Sequence, residues 1–155
     1  TVFSQGKEPI QHLSVFDALR SFDVLKNIKG VDKNNIAIIG ESMGGRYAMI
    51  ASAIENMLKG VIVISSAGFH VQKEDTLQNS YMLSIDPDHY IAKISPNQVI
   101  MIHARNDSVV PLEEAQFTFN KAQDPKNFFL IEECAHGYCN SMYTDLLSSL
   151  DIIFS

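Results

Sequence analysis

Apolar residues recur along this chain in two kinds of block, one spaced for helices and one continuous enough for buried strands. Leu13, Phe16, Leu19, Phe22 and Leu25 keep the three-to-four interval of a helical face across residues 9–28. Pro9 suits the first turn of that helix and Gly30 its stop. A short apolar run, Ile36–Ile39, then breaks at Gly40 and predicts a first strand. Residues from Met43 to about Ile54 predict a helix, and Val61–Ser65 a second strand with apolar residues on both faces. Residues 66–97 are less regular, with room for one helix. Val99–His103 predicts a third strand, and a helix follows from Pro111 to about Ala122, with Glu113 and Glu114 in its first turn. "KNFFLIEE" is a fourth strand, and Tyr138 to Phe154 a last amphipathic helix.

Strands apolar on both faces and separated by helices predict an α/β fold: a parallel sheet of about four strands with helices on both faces. Sheets of this kind present ligands beyond the carboxyl ends of their strands. The chemistry is therefore expected in Gly40–Gly45, Ser65–His70, Ala104–Pro111 and Glu133–Tyr138.

Composition narrows the picture a little. The 155 residues make one domain's worth of chain, 46% hydrophobic and 19% charged, against about 25% charged in an average soluble domain. That shortfall fits a surface partly covered by something else. With a net charge of −6 and 12 scattered basic residues, no nucleic-acid footprint is expected. No apolar stretch reaches the ~18 residues of a membrane span. The chain opens on Thr1 rather than methionine, which predicts a start set by processing, cloning or truncation. Cys134 and Cys139 form no disulfide framework; a bridge between them is one alternative, but two free thiols are expected at that short spacing, which leaves the compartment open.

After the first strand, Gly40-Glu41-Ser42-Met43-Gly44 fits G-x-S-x-G. Turning directly from strand into helix forces the serine into a strained conformation at the tip. The residues two before and two after it then nearly touch, so Gly40 and Gly44 are both expected to be obligatorily small. The following helix aims its N-terminus at the serine, where the Met43 N–H is placed to bind an oxyanion. A phosphate-binding glycine loop fits less well: the spacing is not G-x-G-x-x-G, no Lys-Ser/Thr pair follows, and the second strand ends in Ser65-Ser66 rather than an acid.

A serine needs a base, and the base needs an orienting group. The third strand delivers Asp107 and the fourth His136, 29 residues later. The order Ser42, Asp107, His136 is the Ser…Asp…His order of α/β-hydrolases. His103 precedes the acid and is expected to be structural; His89 is expected on the surface or in packing; His12 and His70 have no obvious partner. Glu132 and Glu133 point elsewhere, and Asp86 and Asp88 flank Pro87 as turn or cap residues. The histidines lack metal-ligand spacing, so neither a metal nor a cofactor is expected.

"IIGESMGGRYA", "IHARNDSVVP" and "AHGY" resemble the nucleophile, acid and histidine segments of the α/β-hydrolase superfamily. The doubled glycine of "GESMGG" is similar to its dienelactone hydrolase and prolyl-oligopeptidase-like branches, although many relatives have glycine where Ala104 stands. The resemblance spans residues 1–155 as a single hydrolase domain but covers only the C-terminal half of the family's fold. It implies that the upstream strands and the second oxyanion donor lie elsewhere: in the precursor, in a second polypeptide or across a homo-oligomer. The first strand is accordingly expected to be an open apolar edge.

These readings converge on a serine hydrolase of small carboxylic esters. Ser42 is the expected nucleophile, His136 the base, Asp107 its orienting acid and the Met43 N–H the oxyanion donor, with an acyl-enzyme on Ser42. Phe69, Tyr81, Met82, Tyr90, Val109 and Tyr138 are the expected apolar pocket for a small acyl ester. A peptidase or thioesterase of the same fold, and a non-catalytic fragment that needs its missing half, are the alternatives.

Overall fold

Each strand of the sequence pairs in parallel with the strand next to it in the chain. The structure is a computed structural model, and it describes residues 3–155. Its strands are β1 (Ile38–Glu41), β2 (Gly60–Ile64), β3 (Gln98–Ala104) and β4 (Lys126–Ile131), and they lie side by side in that order. The helices are α1 (Ile10–Leu25), α2 (Met43–Ile54), α3 (Leu77–Ile85), α4 (Leu112–Lys121) and α5 (Tyr143–Phe154).

The two central strands are apolar throughout because both their faces are covered. Every residue of β2 is buried. Alternate side chains point to opposite faces. Val61, Val63, Val99 and Met101 therefore meet Ala48 and Met49 of α2, Ala115 of α4, and Ile91 and Ile94. Ile62, Ile64, Ile100 and Ile102 meet Met142 and Ile153, the latter from α5. α1 lies outside α2, joined to it through Val15, Ile50 and Ala51, while its Phe22 packs with Ile36 and Leu58.

Element boundaries shift where turns intervene. α1 stops at Leu25, because the chain leaves it through turn bonds from Asn27 to Val24 and from Ile28 to Leu25. β1 starts two residues later than the apolar run and continues through Gly40 and Glu41, which pair with Val63 and Ile64. α5 begins at Tyr143 rather than Tyr138: Gly137, at φ +91°, turns the chain, and a 3-10 turn at Asn140–Met142 precedes the helix. The irregular stretch holds α3, capped by Thr76 Oγ1 accepting the Asn79 amide at 3.0 Å, and 3-10 turns at Pro87–His89 and Ile91–Lys93.

β1 is an edge strand, paired with β2 alone among the described residues. Ile39 on β1 is 49% exposed, and Leu13 and Phe16 on α1 are 42% and 54% exposed, so both elements leave apolar surface uncovered. The helical apolar stripe read from the sequence is wider than the face that α2 covers.

Candidate active site

Ser42 sits at the tip between β1 and α2 with φ 51° and ψ −119°, outside the ordinary regions for a non-glycine residue. Its amide donates to the Ile64 carbonyl at 2.8 Å, so the end of β2 fixes the tip. The sharpness of the turn explains Gly40, where an added Cβ would lie 2.6 Å from the Gly44 carbonyl carbon and 2.8 Å from Gly45 Cα. Gly44 differs from expectation: a Cβ there meets nothing within 4 Å. The steric demand falls on Gly45 instead, whose Cβ would stand 2.7 Å from Ser66 Cβ, because α2 presses on the end of β2 at that point. Gly40→Ala and Gly45→Ala should each destabilise by about 1–3 kcal/mol, whereas Gly44→Ala should be neutral or stabilise by up to about 0.5 kcal/mol. Urea unfolding of the three variants checks this ranking.

The loops after β3 and β4 bring the other two residues to Ser42. The Asp107 carboxylate is buried, and its Oδ1 accepts the amides of Val109 and Val110, each at 2.9 Å. His103, fully buried, donates from Nε2 to the Val110 carbonyl at 2.9 Å and braces the same turn. Burial pushes the His103 imidazole below its usual range, so it stands there neutral. His136 Nδ1 faces both Asp107 oxygens at 3.0 and 2.9 Å, and its Nε2 faces Ser42 Oγ at 2.9 Å. A carboxylate at Nδ1 selects the tautomer with its proton there. Nε2 is then left as the acceptor for the serine hydroxyl.

Burial pushes the Asp107 carboxyl up, but the Val110 amide, His136 and the Val109 amide together outweigh it and hold it below the usual carboxylate range. A lowered folded value stabilises the protein at pH above the unfolded value of ~3.9, and that contribution disappears as pH falls through the folded one. The gap in Tm between the wild type and Asp107→Asn should therefore narrow as pH falls below ~4, a trend that melting curves from neutral to acid pH would reveal.

The expected pocket residues do not gather in one place. Phe69 lines a cavity of about 160 Å³ beside Met43, together with Gln11, Arg46, Tyr47 and Ile85. Tyr81 instead packs near Phe3 and His12, and Tyr90 bonds the Ser84 carbonyl in a separate groove between α1 and α2. The helical excursion carries both tyrosines away from the strand ends. Val109, 65% exposed, and Tyr138, 41% exposed, stand on the loops that bear Asp107 and His136. Met82 lines neither of these hollows. Arg46 was legible in principle, one helical turn beyond Ser42; it bonds the Ala67 carbonyl and lies 4.1 Å from the centre of the Phe69 ring.

Three further expectations change. His12 lies between Glu8 and Ser84, and His70 between Asp88 and Glu114, so both have partners. Asp86 does more than cap its turn: it also accepts the amides of Phe69 and Val71, each at 2.9 Å, and holds the loop beside the cavity. Cys134 and Cys139 are bridged rather than free, with Cα atoms 6.3 Å apart. The turn through Gly137 brings the two ends of the His136 loop together, a proximity that sequence spacing alone does not reveal. Among the described residues, no cluster of metal-ligating side chains occurs, and no helix is long and apolar enough to cross a membrane.

The model of the dienelactone hydrolase family matches residues 1–146. The uncharacterized protein YfhR of Escherichia coli O157:H7 is 26% identical over 126 residues, which cover 77% of this chain and 44% of that protein. Acetyl xylan esterase 1 from Thermoanaerobacterium sp. JW/SL YS485 superposes with a TM-score of 0.74 at 16% identity, over 91% of this chain and 52% of that one. The acetyl xylan esterase of Paenibacillus sp. R4 reaches 0.77 at 16% identity, over 89% and 51%. At such identities the likeness to the two esterases is one of fold. The chain spans about half the length of the proteins it matches.

Proposed function

The chain belongs to the dienelactone hydrolase family, and from that premise we propose that it is a serine hydrolase of small carboxylic esters. The observation that most supports this reading is the continuous relay from Ser42 Oγ through His136 to Asp107, with both links near 2.9 Å. Ser42 attacks the ester carbonyl as His136 Nε2 takes its proton. Asp107 keeps the imidazole in the productive tautomer and stabilises its charged form. The proton then passes to the departing alcohol, and water hydrolyses the acyl-enzyme by the same steps in reverse.

The developing oxyanion is placed near the Met43 N–H. As the first residue of α2, Met43 has no intrahelical acceptor for its amide. A second donor is proposed to come from polypeptide covering the open edge of β1 in the working enzyme. The unpaired edge and the exposed apolar residues of α1 support that placement. Loss of one oxyanion donor costs about 10²–10³ in rate, so a chain with the edge uncovered should work slowly.

Small acyl groups suit the modest cavity beside Met43, and the esterase neighbours support ester rather than peptide cleavage. A fluorophosphonate probe followed by peptide mass mapping tests the proposal. The expected adduct lies on Ser42 and disappears in Ser42→Ala. A folded wild-type protein that forms no adduct, with its β1 edge covered, would sink it.

A further inference from the structure

His136 reaches Ser42 from the far side of the sheet. Ser42 follows β1 and the histidine loop follows β4, so the loop crosses three strand spacings, about 14 Å in all. Such a crossing needs landing points, and two are present. The Gly137 amide donates to Ser65 Oγ at 3.1 Å, at the end of β2. The Tyr138 amide donates to Glu41 Oε2 at 3.1 Å, at the end of β1. The fit beneath the loop is close: Gly137 has φ +91°, and an added Cβ would stand 3.1 Å from Glu41 Oε1.

Glu41 therefore has a place that an ordinary surface carboxylate lacks. It directly precedes Ser42, and its backbone is held in register opposite Ile64. Its carboxylate grips the second residue after His136. One side chain thus ties the strand that carries the serine to the loop that carries the imidazole. We propose that Glu41 is a positioning residue for His136, accepting the Tyr138 amide so that Nε2 stays aligned with Ser42. The proposal rests on the reading of Ser42 and His136 as nucleophile and base.

A displacement of about 1 Å at a reacting group can cost about 10²-fold in rate. Glu41 is itself exposed, so its removal should disturb alignment far more than stability. The test compares wild type, Glu41→Ala and Glu41→Gln for kcat and KM on a short nitrophenyl ester, for Tm, and for hydrogen exchange at the Tyr138 amide. In Glu41→Ala, kcat should fall about 10–100-fold with KM within about twofold, and the Tyr138 amide should exchange faster. Glutamine keeps an acceptor oxygen, so Glu41→Gln should recover kcat to within about threefold of wild type.

Three results would overturn the proposal: an unchanged kcat in Glu41→Ala, equal losses in the alanine and glutamine variants, or a loss that tracks Tm. If Ser42→Ala kept wild-type activity, the nucleophile reading would fail on its own. Tyr138 exchange would still decide the role of Glu41, because an unchanged rate in Glu41→Ala means that the carboxylate does not hold the loop.

Discussion

Replacing Ser42 with alanine is expected to lower ester turnover by about 10⁴–10⁶-fold and to abolish fluorophosphonate labelling, with little change in fold. The size of the effect follows from what the substitution leaves behind. Alanine keeps the tight strand-to-helix turn, the Ser42 amide bond to Ile64 and the Met43 amide, and removes only the Oγ that stands 2.9 Å from His136 Nε2. Water is then the sole nucleophile, and it is neither held nor activated in the same position. Substrate binding and the oxyanion donor survive, so a small residual rate above the uncatalysed one should persist. The unusual backbone angles of Ser42 strain alanine much as they strain serine, and Tm should therefore move little. Activity within tenfold of wild type would mean that some other group forms the covalent bond or that no covalent bond forms.

Asp107→Asn is expected to lower kcat by about 10³–10⁴-fold while KM changes little. The substitution is nearly isosteric, and the asparagine oxygen can still accept the amides of Val109 and Val110 that shape the turn. Its nitrogen then faces His136 Nδ1, where only an acceptor is tolerated. The imidazole must switch tautomer and place its proton on Nε2, toward the serine that the proposed mechanism has it deprotonate. On the proposed mechanism the base is then present and correctly located, yet unable to accept. His103 offers no replacement, because it is fully buried and its Nε2 is committed to the Val110 carbonyl. Steady-state kinetics on a short ester read this directly, and a kcat within tenfold of wild type would remove Asp107 from the relay.

Much of the architecture was legible because it follows from burial. β2 and β3 are covered on both faces, and a strand in that position has to read as a continuous apolar run. The candidate triad was legible because each residue follows such a run, and the crevice rule limits where chemistry can sit. The pocket was not. Tyr81 and Tyr90 belong to an excursion whose packing against α1 and Phe3 depends on long-range contacts, and residue type alone does not announce them. The same limit hid the Cys134–Cys139 bridge, which depends on a turn at Gly137, and the grip of Glu41 on Tyr138 across 97 residues of chain. Gly44 and Gly45 show a finer limit. The motif marks the first of them as small, whereas the close approach of α2 to Ser66 makes the demand on the second.

The order of the strands in space repeats their order in the chain. During synthesis, each new strand can therefore dock on a neighbour already made, without threading past or displacing one. Ser42 is set by the first pair of strands and Asp107 arrives with the third, but His136 comes only after the fourth. A growing polypeptide would thus carry Ser42 without its histidine partner until the loop after β4 has been made. On the proposed reading of these residues, reactivity waits for the loop after β4, and the strands made before it are scaffold without chemistry.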